Sequence, residues 1–77
     1  MTRKQRRTLK RIAETMQGLL AMVGDLQEEA IAARDNVPEG LRNSPIYIRE
    51  DITCQRLDLV TAHMNQAIRL MDHIAES

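Results

Sequence analysis

An all-α antiparallel hairpin of two long helices, oligomerising into a helix bundle, is the fold class this 77-residue sequence predicts. Three observations predict it. From Leu9 to Ala33 the apolar residues keep an unbroken three-four spacing: Leu9, Ile12, Met16, Leu19, Val23, Leu26, Ala30 and Ala33. A helix with core positions every 3.5 residues turns one seam toward a partner helix along its whole length. A second stripe, Leu57, Val60, Met64, Ala67, Met71 and Ile74, repeats the pattern, widened by Cys54, Ile68 and Leu70. Between the stripes lie both prolines of the chain and a cluster of Asp, Asn and Ser, the residues that make turns. With one Tyr, no Phe, no Trp and no useful period-two run, nothing argues for a sheet.

The single domain divides into helix 1 over about 2–34, a loop over about 35–45 and helix 2 over about 46–75. Thr2 is positioned to cap helix 1, whose rod runs for roughly 45 to 50 Å. Gly18 and Gly24 lie off the stripe and each weakens the helix by about 1 kcal/mol relative to Ala, a cost that close helix approach would explain. Asp35, Asn36 and Pro38 end helix 1, because the residue before a proline is pushed out of the helical region and Asx side chains compete for the backbone. Pro38 can open one helical turn through Glu39, Gly40 and Leu41. Asn43 and Ser44 are candidate caps for helix 2, and Pro45 suits its first turn.

The chain carries no net charge, yet its charges are segregated. Arg3, Lys4, Arg6, Arg7, Lys10 and Arg11 are six of the eleven basic residues and precede every acid. Asp25, Glu28 and Glu29 gather at the other end of the same helix. Helix 1 is thus charged against its own macrodipole, at a few tenths of a kcal/mol per exposed mismatch, so some other interaction is expected to use that charge.

Both apolar faces are wider than one intrachain contact can cover. Ala13, Leu20 and Met22 flank the first stripe, and Ile52 and Leu59 lie on a second side of helix 2. A lone Cys54 allows no intrachain disulfide, so a small scaffold of this kind is expected to gain stability by oligomerising, as a dimeric four-helix bundle or a larger assembly. The single thiol also points to a reducing cytoplasm. No apolar run approaches the ~20 residues of a membrane span, and an amphipathic helix follows the basic start where a signal peptide would carry its apolar core. No membrane partner is expected, and the chain is expected to begin at or near Met1.

No constellation for catalysis is present. His63 and His73 stand ten residues apart, without the four-residue spacing of a helical metal site, so no metal ligand is assigned. Cys54 has no local base and sits beside the stripe as a packed thiol. The five Met residues fall at helical spacing and fill core. Glycine-rich phosphate loops, paired carboxylates and a Ser-His-Asp order are all missing, which predicts a non-enzyme that needs no cofactor.

The loop, Arg34 to Tyr47, resembles the recurring D-N-x-P-E-x-L-x-x-S connection of small helical-hairpin proteins encoded by bacteriophages and prophages. Asp35, Asn36, Pro38, Glu39, Leu41 and Ser44 carry the likeness, over about a fifth of the chain. Two features depart from that group, the basic arm and the arginines Arg49, Arg56 and Arg69 in a helix 2 that is typically acidic. The resemblance implies an accessory phage protein, by class an oligomeric binder such as a sponge for host immune nucleotide signals.

On turn chemistry alone, Asn36, Pro38, Glu39 and Ser44 are caps and turn residues. A binding reading makes the loop the rim of a ligand site. Tyr47 then stacks on a base, Arg42 and Arg49 meet phosphate through bidentate forks, and Asn36 and Ser44 supply polar contacts. Arg7 and Arg11, from the arm of a neighbouring subunit, close the site. The function expected is sequestration of a small anionic ligand, a cyclic nucleotide immune signal, in the host cytoplasm as a counter-defence. Alternatives are an inhibitor or adaptor that offers its helical surface to a host protein, and a nonspecific nucleic-acid binder working through the arm. Overall neutrality and the lack of a short recognition helix count against the last.

Overall fold

The computed structural model describes residues 1–77 and contains two long helices and no strand. Helix α1 spans Arg3–Asp35, a single 3-10 turn spans Glu39–Leu41, and helix α2 spans Pro45–Glu76. A capping box starts α1: the Thr2 hydroxyl accepts from the Gln5 backbone N–H at 3.1 Å, and the Thr2 N–H donates to the Gln5 side chain at 2.9 Å. Ser44 caps α2 by accepting from the Tyr47 N–H, and Pro45 takes the first helical position.

The helices pack side by side and antiparallel. Gln27 bonds Asp58 and Thr61, and Arg34 bonds Asp51, so residues whose numbers sum to about 86 lie next to each other. The result is a thin rod, 59 × 15 × 13 Å, with a radius of gyration of 17.4 Å. A compact domain of this length would have about 11.5 Å.

The seam between the helices differs from the stripe that the apolar spacing selects. On α1, Leu9, Met16, Val23 and Ala30 do turn toward α2, but the alternate positions are Ala13, Leu20, Gln27 and Arg34. Ile12, Leu19 and Leu26 stay 46, 49 and 55% exposed. The same substitution occurs on α2. Tyr47, Cys54, Thr61 and Ile68 join Leu57, Met64 and Met71 in the seam, while Val60 and Ile74 remain exposed. Both chosen lines still repeat by three and four, so the coiled-coil geometry is kept and only its phase changes. The physical reason is that polar residues bridge this phase. Gln27 donates to Asp58 and accepts from Thr61, and Arg34 reaches Asp51 at 3.1 Å, contacts that the more apolar phase would break.

Only Ala13, Cys54 and Ile68 are fully buried. Gly18 and Gly24 do not mark a close approach of the two helices, for a Cβ added at either would meet nothing within 4 Å. No helix is long and apolar enough to cross a membrane.

Candidate functional site

At the loop end, Asn36 closes α1 with its backbone N–H donating to the Ala32 carbonyl at 3.0 Å. Pro38 then holds an extended conformation, and the 3-10 turn returns the chain through Leu41 N–H to Pro38 O at 2.8 Å and Ser44 N–H to Leu41 O at 2.9 Å. The Arg42 guanidinium lies over the Tyr47 ring, 5.9 Å from its centroid, a cation–π contact. Tyr47 is half-buried because it heads the α2 seam line that continues through Cys54 and Thr61. Arg42 and Tyr47 are thus brought together, and Ser44 lies beside them with its hydroxyl engaged as the cap.

The remaining candidates point elsewhere. Arg49 is two residues beyond Tyr47, a rotation of roughly 200° on a helix, so it faces outward while Tyr47 faces α1. There Arg49 and Arg56 border a shallow groove over Ile48 and Ile52. Arg7 and Arg11 are exposed at the far end of α1, roughly 40 Å along the rod from the loop. Within one hairpin the arm and the loop do not meet.

Sequence reading passed over Arg34. Its Nε contacts Asp35 at 3.2 Å and its Nη1 contacts Asp51 at 3.1 Å, while the other Asp51 oxygen accepts from Gln55. The Asp35 hydrogen bond first, and the Asp51 bond second, hold the guanidinium pKa above its ordinary value, so Arg34 keeps its charge throughout the accessible pH range. The signal was available, because Arg34 stands at heptad spacing from Ala13, Leu20 and Gln27. These are the only ion pairs of the hairpin, so the arm, the acids Asp25, Glu28 and Glu29, and Arg42, Arg49 and Arg56 are all unpaired.

A second feature is the apolar face itself. Ile12, Leu19 and Leu26 run along α1, and Val60, Ala67 and Ile74 along α2. Each line lies about 80° back around its helix from the seam, and in an antiparallel pair those two flanks fall on the same side. Ile12 sits beside Ile74, Leu19 beside Ala67 and Leu26 beside Val60, giving three cross-helix layers. The face is more apolar than its sequence suggests. Thr8, Thr15 and Thr53 lie on it, yet each donates its hydroxyl to the carbonyl four residues earlier in its own helix. Their methyl groups are what the face offers.

No group of His, Cys, Asp and Glu is placed to hold a metal ion. Comparison with known proteins finds no match: no family model, no curated protein and no solved structure is significantly similar to the chain.

Proposed function

We propose that this chain is a protein-interaction module that works through its helical surface, with no chemistry of its own. The observation that carries the reading is the three-layer apolar face, in which Ile12, Leu19, Leu26, Val60 and Ile74 stay exposed along both helices. Monomeric proteins rarely leave a contiguous apolar strip of this length in water. Replacing Leu19 and Leu26 together with Ser tests it. At solvent-exposed sites such changes stay within about 0.5 kcal/mol. At a covered face they remove buried side chains and lower the melting temperature by roughly 10 °C or more. A cooperatively melting monomer whose Tm is unchanged in the double variant would contradict the reading.

A second reading is favoured by the loop end. The Arg42 guanidinium over Tyr47, free of any ion pair, suits a small phosphate-bearing ligand that Arg49 would reach only from the outer side of the same turn, and a cyclic nucleotide signal sequestered by a phage accessory protein is the expectation from the loop's likeness. Asn36 and Ser44 border the same turn. A panel of cyclic di- and trinucleotides then contains at least one member that raises the Tm by mass action. Tyr47→Ala and Arg49→Ala each abolish that rise without changing helicity. If no member of the panel shifts the melt, the loop residues are caps and the helical surface is the functional part.

A further inference from the structure

We infer that the occupant of the apolar face is a second copy of this chain, docked so that the two α1 helices run antiparallel and the two loops lie at opposite ends of a four-helix bundle. The inference rests on the reading of that face as an interaction surface and names its partner.

Surface area sets the scale. The chain exposes 6074 Å², whereas a compact monomer of 8.8 kDa exposes on the order of 4800 Å², a surplus of about 1300 Å². One long side of the rod, 59 by 15 Å, matches the ~800 Å² per partner that a standard stable interface buries.

The layers are self-complementary. A two-fold axis through the Leu19–Ala67 layer brings Leu19 against Leu19 and Ala67 against Ala67. The same rotation brings Ile12 onto Leu26 of the second copy and Val60 onto its Ile74. An isologous interface requires such reciprocity, and here one axis satisfies both helices.

Charge then chooses between the two arrangements that pack face on face. With the loops at opposite ends, α1 crosses α1 of the second copy. Arg11 lies within about one helical turn of the second copy's Asp25 and Glu29, all three on the edge of α1 that flanks the face. All of these side chains are unpaired in the single hairpin. With the loops at the same end, α1 lies along α2 of the second copy, where Glu29 comes near Arg56 but Arg11 comes level with Ala75 and meets no acid. The first arrangement places basic arm on acidic segment twice. It also accounts for a helix charged against its own dipole, since each mismatched end faces the opposite charge on its neighbour.

Cysteine cross-linking tests both the occupant and the orientation. Leu19→Cys, made with the native Cys54 retained because that thiol is buried, is expected to form an interchain disulfide under air oxidation at micromolar concentration. Ile12→Cys and Leu26→Cys cross-link when mixed and not alone. A Leu19→Cys plus Ala67→Cys product with no Leu19 homodimer would overturn the orientation. Charge reversal supplies the second arm of the test. Arg11 changed to Glu, and Asp25 and Glu29 changed to Lys, each weaken self-association at least tenfold, and mixing the two variants restores it in a heterodimer. Failure of the mixture to recover would overturn the charge argument. A chain that stays monomeric and melts without cooperativity needs a different partner, which overturns the second copy alone. A monomer that melts cooperatively, with Leu19 and Leu26 replaceable by Ser at no cost, overturns the interaction reading as well.

Discussion

Two lines of α1 compete to complete the seam beside Leu9, Met16, Val23 and Ala30, and the one that packs is less apolar than the one left in water. Inward lie Ala13, Leu20, Gln27 and Arg34; outward lie Ile12, Leu19 and Leu26 at matching heights. Hydrophobic burial alone would have chosen the opposite phase. The difference teaches that the seam is set by specificity. Gln27 and Arg34 have defined partners only at one height of α2, and a polar residue in a heptad seam fixes register at a cost in stability. The outward line of Ile12, Leu19 and Leu26 carries no such polar residue, and it is the surface that the proposed second copy would cover.

Breaking the outward side has the largest expected effect. Leu19→Asp places two uncompensated charges at the centre of the proposed interface, one from each copy, and is expected to dissociate and unfold the assembly together, read as loss of helical circular dichroism and of the larger species in sedimentation. A moderate effect is expected from the inward neighbour. Leu20→Ala removes seam contacts within each hairpin and lowers stability by about 2 kcal/mol per chain while the sedimenting species keeps its size. One residue apart in sequence, the two substitutions separate association from hairpin packing. If Leu20→Ala also dissociates the protein, the two sides of α1 are not independent. The smallest effect sharpens the picture from the polar flank. Gly24 is helical, and a Cβ there meets nothing within 4 Å, so Gly24→Ala is expected to raise stability by about 0.5 to 1 kcal/mol in thermal melts. A loss would reveal a packing contact at that position.

Local signals in the sequence were legible because they depend on residue type and immediate neighbours. Thr2 and Ser44 cap helices, Pro45 occupies a first turn, and Pro38 follows the end of α1, each for reasons that operate within a few residues. The existence of two long helices followed equally from the three-four spacing. The phase of the seam did not. α1 has three adjacent lines available, one through Leu9 and Met16, one through Ile12 and Leu19, and one through Ala13 and Leu20, and hydrophobicity alone ranks the second above the third. Choosing between them requires knowing that Gln27 meets Thr61 and Asp58 and that Arg34 meets Asp51, contacts 34, 31 and 17 residues apart. The candidate binding residues show the same limit. Arg42 and Tyr47 are five residues apart across a turn and come into contact, whereas Arg49 rotates away and Arg7 and Arg11 sit at the other end of the rod. Spacing along a helix tells which face a residue takes, and only the packed pair tells what that face meets.

The central claim is that the exposed face of the hairpin is the surface on which a second copy docks. Sedimentation equilibrium of the unmodified chain across micromolar concentrations tests it most directly. The account predicts a species of twice the 8.8 kDa chain mass that reverts toward the single chain on dilution. A single-chain mass throughout that range, from a protein that still melts cooperatively, would contradict it.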